Sequence, residues 1–219
     1  VDTLLDAKDN AQVLEVFRQS AQLAAEGRFT LSIEALRRIT RDDPTMADAW
    51  RQLGRVSARA GRLDQAVLAF ERSAYLVPDD AGSLTSSASL LLRLGRLDEA
   101  QREAEKAVAQ APEQSGLSFA AEQTLAKILV ARKDYDGARE HAANAVRHHP
   151  SVPLDSYVEG LVLAQQGRYE DALPHFVKAA AALQTGHVRL LDLHYSTGDT
   201  LAHLARWDES IPEFKQELE

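Results

Sequence analysis

The chain has 219 residues, 45% hydrophobic and 26% charged, with 33 Asp and Glu against 25 Lys and Arg and a net charge of −8. That composition belongs to a globular chain with a sizeable core, not a disordered one. The acidic balance argues against a duplex nucleic-acid binder and against adhesion to an anionic membrane, while the absence of cysteine removes disulfides, thiolate zinc sites and thiol nucleophiles.

In chain order, residues 1–12 read as a lead-in, and from residue 13 a period takes over. A small residue, an Arg or Asp, an apolar residue, two further residues and an Ala or Ser recur as GRFTLS, GRLDQA, GRLDEA, KDYDGA, GRYEDA and ARWDES. The closing small residues are Ser32, Ala66, Ala100, Ala138, Ala172 and Ser210, spaced 34, 34, 38, 34 and 38 apart, and twelve residues beyond each of the first four stands Pro44, Pro78, Pro112 or Pro150. Each glycine suits the left-handed end of one helix. Each Asp that follows, such as Asp64, Asp98, Asp136 and Asp208, is expected to begin the next by accepting its free N–H groups, and each proline closes the second helix. Pro174 and Pro212 are expected in the first turns of second helices, where proline is tolerated. Apolar residues between these breaks keep helical spacing, as in Ala66, Phe70 and Ala74. A helix–turn–helix unit of this size cannot bury its apolar face alone, so the units must stack.

The two 38-residue spacings locate four-residue insertions near 115–118 (SGLS) and 187–190 (HVRL). Four residues are about one helical turn. An extra turn is therefore expected on the first helices of the fourth and sixth units, the latter beginning near His187. No run of about 18 apolar residues marks a membrane span. Val1 at the start and the charged FKQELE at the end lead us to expect cut edges of a longer polypeptide, with an uncapped apolar end face.

Residues 47–80, ADAWRQLGRVSARAGRLDQAVLAFERSAYLVPDD, carry Trp50, Leu53, Gly54, Gly61, Leu63, Ala66, Phe70 and Pro78. In these positions the chain resembles the tetratricopeptide repeat family. Residues 13–46, 81–114, 119–152, 153–186 and 191–219 align in the same register, the last incompletely, giving six repeats over 13–219. The resemblance implies an all-α, right-handed superhelical solenoid of antiparallel helix pairs. The Trp50 position becomes Val16, Leu84, Glu122, Ser156 and His194 elsewhere, whereas the small residue between paired helices persists as Ser20, Gly54, Ala88, Ala126, Gly160 and Gly198. Truncating Trp50 to Ala is expected to cost about 3–5 kcal/mol.

The same resemblance implies a concave groove lined by first helices. It places Arg51, Arg55 and Arg59 in that groove, followed by Ser89 and Arg93, then Lys127, Tyr157 and Tyr195. The groove would be apolar at its start around Leu14 and Phe17, basic in the middle and aromatic later. Arginine holds carboxylates and phosphates in bidentate fashion, so one reading is docking of an acidic or C-terminal peptide segment. The other is a solvated stripe partly paired with Asp48, since exposed pairs contribute only ~0–1 kcal/mol. The chaperone-binding pattern of the family fails, because the corresponding places hold Phe17, Ala21, Gln52, Gly82 and Ser86.

None of the seven histidines, His141, His148, His149, His175, His187, His194 and His203, sits in a metal-ligand spacing, and no phosphate loop or nucleophile elbow occurs. The expectation is a non-catalytic protein- or peptide-binding scaffold with no cofactor, no metal, no nucleic acid and no membrane insertion, in a bacterial cytoplasm or periplasm. Two alternatives stay open. One is an accessory C-terminal domain of a larger enzyme, since the opening residues resemble the entry to arrays that follow a sulfatase-like hydrolase. The other is a self-association module.

Overall fold

The computed structural model describes residues 2–113, 115–183, 190 and 192–217, with the side chains of 2–12 and 148 left aside. The described residues form helices and turns and no strand. They group into two compact units, Val1–Ala111 and Pro112–Glu219.

The first unit holds α1 (Asp2–Ala25), α2 (Phe29–Asp42), α3 (Ala47–Arg59), α4 (Leu63–Leu76), α5 (Ala81–Arg93) and α6 (Leu97–Gln110). The second holds α7 (Gly116–Ala131), α8 (Tyr135–His148), α9 (Leu154–Gln165), α10 (Tyr169–Leu183), α11 (Leu193–His203) and α12 (Trp207–Glu217). Within each unit consecutive helices pack on one another.

One turn chemistry repeats six times. The chain leaves each first helix through a left-handed residue, and the next N–H donates six residues back. Arg28, Arg62, Arg96, Asp134, Arg168 and Arg206 thus bond the carbonyls of Leu23, Ser57, Leu91, Leu129, Leu163 and Leu201 at 2.8–2.9 Å. This is the Schellman closure of a helix end. Gly27, Gly61, Gly95 and Gly167 supply the left-handed residue at φ of 72–77°, and Lys133 (64°) and Ala205 (58°) supply it where glycine is missing.

The aspartates expected to cap second helices sit one step further in. The capping positions of α4 and α6 are Arg62 and Arg96, with no side-chain cap, while Asp64 and Asp98 lie in the first turn. There they favour the positive end of the helix dipole without taking an N–H. Asp136 is likewise in the first turn of α8, whose cap is Asp134 accepting from the Gly137 N–H at 3.1 Å. The four register prolines stand two residues past α2, α4, α6 and α8. Pro174 and Pro212, by contrast, are the sixth residues of α10 and α12, beyond the first turn expected for them.

The interior explains the small-residue code. A Cβ built on Gly54 would stand 2.9 Å from the Phe70 ring, one on Gly160 2.6 Å from Phe176, and one on Gly198 3.0 Å from Phe214. Where the first helix carries Ala88 or Ala126, the second-helix position facing it in register is Ala104 or Ala142, both buried. Size on one helix is thus traded against size on the other, as dense packing requires. Ser32 and Ser210, replacing alanine in the first and last repeats, each donate from Oγ at 2.8 Å to the carbonyl of Ser20 or Gly198. Their buried hydroxyls are satisfied.

The extra turn in the fourth repeat is present. α7 has 16 residues against 13 in α3 and α5, and it begins after Ser115, whose Oγ accepts from the Ser118 N–H at 3.0 Å. The matching extension of the sixth repeat falls differently. Residues 187–189 lie outside the described residues, and α11 begins only at Leu193, preceded by Asp192 at a left-handed φ of 65°. That backbone ends any helix arriving from upstream.

Candidate peptide-binding face

In the first unit, α3 and α5 carry the basic residues expected to meet a ligand. Arg51 is already engaged. Its Nη1 donates to Asp48 at 2.6 Å, and its Nε and Nη2 donate to one oxygen of Asp80 at 3.1 and 3.0 Å. Asp80 is the N-cap of α5. It accepts from the Ser83 N–H and Oγ and from the Ser73 Oγ, so one carboxylate joins α3, α4 and α5. Burial alone would raise the pKa of Asp80, but the hydrogen bonds from Ser83, Ser73 and Arg51 outweigh it and hold the carboxyl below its ordinary value. Arg51 therefore acts first as a clasp between successive helix pairs.

One and two turns further along α3, Arg55 and Arg59 are exposed. The Arg59 guanidinium stands over the Phe29 ring at 5.1 Å, a cation–π arrangement that leaves its edge free for an acceptor. Arg55, and Arg93 at the end of α5, are exposed and have no hydrogen-bond or ion-pair partner among the described residues. Ser89, one turn before Arg93, is half-buried. Leu14 is exposed at the start of the array, and Phe17 is partly buried against the core around Ile33, Leu36 and Leu53.

In the second unit the expected ligand-facing residues divide. Lys127 is paired with Asp192. Tyr195 is exposed, its ring 5.8 Å from that of Phe214. Tyr157 requires a correction. It is fully buried, its ring is 6.0 Å from Phe176, and its hydroxyl is hydrogen-bonded to Ser196 on α11. Burial pushes its pKa far up, and a ligand has no access to it. The next helix covers the face that Tyr157 would have offered.

Polar residues at the Trp50 position are also accounted for by pairing. Glu122 on α7 meets His141 on α8 at 2.6 Å, and His194 on α11 meets Glu213 on α12 at 2.7 Å. The two pairs share a separation of 19 residues with acid and imidazole exchanged. Trp50 itself is half-buried, with its Nε1 donating to the Pro44 carbonyl at 3.0 Å. Among the described residues no three His, Cys, Asp or Glu are grouped to hold a metal. No described helix is long and apolar enough to cross a membrane.

Family models described as tetratricopeptide repeat match residues 22–81, 124–187 and 157–219, and a second such model matches 81–114. The chain belongs to the tetratricopeptide repeat family. Solved structures agree in fold. A tetratricopeptide repeat protein from Parabacteroides merdae superposes with a TM-score of 0.68 at 15% identity, over 93% of this chain and 78% of that one. PilW, described as a widely conserved type IV pilus biogenesis factor, gives 0.66 at 15% identity over 93% and 91%. MamA from Desulfovibrio magneticus RS-1 gives 0.65 at 18% identity over 80% and 97%. No curated protein matches the chain. The tetratricopeptide repeat is a scaffold for protein interaction, and the six helix pairs described here are such a scaffold.

Asp80 is the residue that reading the sequence missed. Its signal lay in the spacing Asp80-x-x-Ser83 directly after Pro78, an N-cap pattern. Recognised as a buried cap, it would have marked Arg51 as already partnered.

Proposed function

We propose that the chain is a non-catalytic scaffold whose first unit holds an acidic peptide segment on the α3–α5 face, through Arg55, Arg59 and Arg93. The observation that carries this is the division of labour along one arginine stripe. Arg51 is spent on Asp48 and Asp80, while the next two arginines and Arg93 remain exposed with no carboxylate of their own. Guanidinium groups in that state favour carboxylates in bidentate geometry. Ser89 beside Arg93 adds a hydroxyl for a backbone or side-chain acceptor.

Fluorescence anisotropy with a labelled Glu-rich peptide and a neutral control tests the reading. The expected result is binding of the acidic peptide alone, weakening as salt rises. The Arg55→Glu/Arg93→Glu variant should bind at least about tenfold more weakly, a loss of ~1.4 kcal/mol, with its thermal melt unchanged. Equal binding by the variant would remove the stripe from the site.

A further inference from the structure

The last two repeats carry one aromatic arrangement twice. In the fifth, Tyr157 and Phe176 have ring centroids 6.0 Å apart at 54°, with Phe176 seated over Gly160. In the sixth, 38 residues on, Tyr195 and Phe214 stand 5.8 Å apart at 57°, with Phe214 seated over Gly198. The first pair is covered, because α11 packs on α9 and α10 and its Ser196 bonds the Tyr157 hydroxyl. Tyr157 is 0% exposed, whereas Tyr195 is 54% exposed.

The second helix tells the same story. Ile33 and Val67 follow the closing small residues of the first two repeats and are 0% and 1% exposed, in helices that pack on the next pair. Ile211 holds that register position in α12 and is 52% exposed. Trp207, one turn earlier, is 59% exposed. Residues 207, 211 and 214 share one side of the helix. The face is therefore shaped for a helix, and the fifth repeat displays what such a helix is like, namely an apolar stripe with a small hydroxyl residue opposite the tyrosine.

Charge narrows the occupant. Between residues 193 and 217 stand five carboxylates, Asp199, Asp208, Glu209, Glu213 and Glu217, against Arg206 and Lys215. Arg206 is held by Glu209. Two copies of this face brought together would oppose like charges.

We propose that the α11–α12 face is a docking surface for a single amphipathic helix of a partner protein. That helix lies over Tyr195 and Phe214 as α11 lies over Tyr157 and Phe176, with its apolar stripe inward and lysine or arginine at its flanks. Docking of this kind is the helix-in-groove mode of recognition.

The probe is a lactam-bridged synthetic helix with a Leu/Ala/Ser stripe and Lys flanks, labelled for anisotropy and titrated with the full chain. The expected result is saturable binding, weakened at least about tenfold by Ile211→Asp, by Trp207→Ser, and by exchanging the Lys flanks for Glu. Both substituted side chains are exposed, so circular dichroism should be unchanged. The Arg55→Glu/Arg93→Glu variant should bind the probe normally, which separates this surface from the acidic-peptide site. Absence of saturable binding, equal affinity for the Glu-flanked helix, or equal binding by both variants overturns the proposal. Sedimentation showing dimers abolished by Ile211→Asp also overturns it, by making a second copy the occupant.

Discussion

A methyl group added at Gly160 would stand 2.6 Å from a Phe176 ring carbon, in a place where neither helix has room to yield. Gly160→Ala is therefore expected to cost about 1–3 kcal/mol through overpacking, measured by urea unfolding. A Phe176→Leu substitution in the same chain should recover part of that loss. A double-mutant cycle that shows no coupling would mean the two residues do not limit each other. Ala205 carries the opposite kind of strain. Its left-handed φ of 58° is a place where glycine sits in four other repeats, so Ala205→Gly should leave stability level or raise it by up to ~1 kcal/mol. Asp80 links stability to pH. A carboxyl whose folded pKa lies below its unfolded value contributes fully above the unfolded value and loses that contribution as pH falls through the folded one. Asp80 is such a group, so wild type should lose more stability than Asp80→Asn between about pH 5 and pH 2. The small residues Gly54, Gly160 and Gly198 were legible as a code because size is written directly in the sequence. Their reciprocity with Phe70, Phe176 and Phe214, and the Arg51–Asp80 bond, join residues 16 to 29 apart on different helices, which one-dimensional periodicity does not reveal.

At the scale of the helix, boundaries followed breakers more closely than they followed acids. The glycines and prolines placed the ends of eight helices, because φ restrictions act locally. Aspartate was the weaker guide, since a carboxylate near a helix start can serve either as a cap or as a partner of the dipole, and here Asp64 and Asp98 take the second role. The longer α7 shows both rules working together. Four inserted residues extend its N-terminus, and Ser115 caps the added turn. Ser115→Ala should cost about 1 kcal/mol, seen as a lower melting temperature. An unchanged melt would mean that the added turn is held by packing alone. The insertion before α11 has the same length in sequence, yet a left-handed Asp192 precedes that helix. The sequence offered no sign of this, as aspartate at a left-handed position looks like any other aspartate.

For the whole molecule, the division at Ala111 and Pro112 separates two sets of six helices, each with its own buried residues. Contacts in helical repeats are local, and stability is close to a sum over neighbours. Fragments 1–111 and 112–219 are therefore expected to keep helical circular dichroism when made separately. An unfolded fragment would show that its core depends on the other half. The period announced six repeats at once because it recurs across the chain, while the division into two units left no mark in the spacing. The expected binding face was legible to the extent that side-chain type and helix register define it. Tyr157 departs from it because register cannot tell an open position from one that the following helix covers.

The placement of the histidines has an electrical consequence. All seven follow residue 140, so the first unit has none. The first unit carries 17 carboxylates against 15 Lys and Arg, a formal charge of −2, and the second carries 16 against 10, a charge of −6. Histidine is the side chain whose charge changes in mildly acidic solution. Full protonation would add seven charges to the second half, taking it from −6 to +1, and none to the first. Acidification thus reverses which half repels anions, and it does so without touching the arginine stripe.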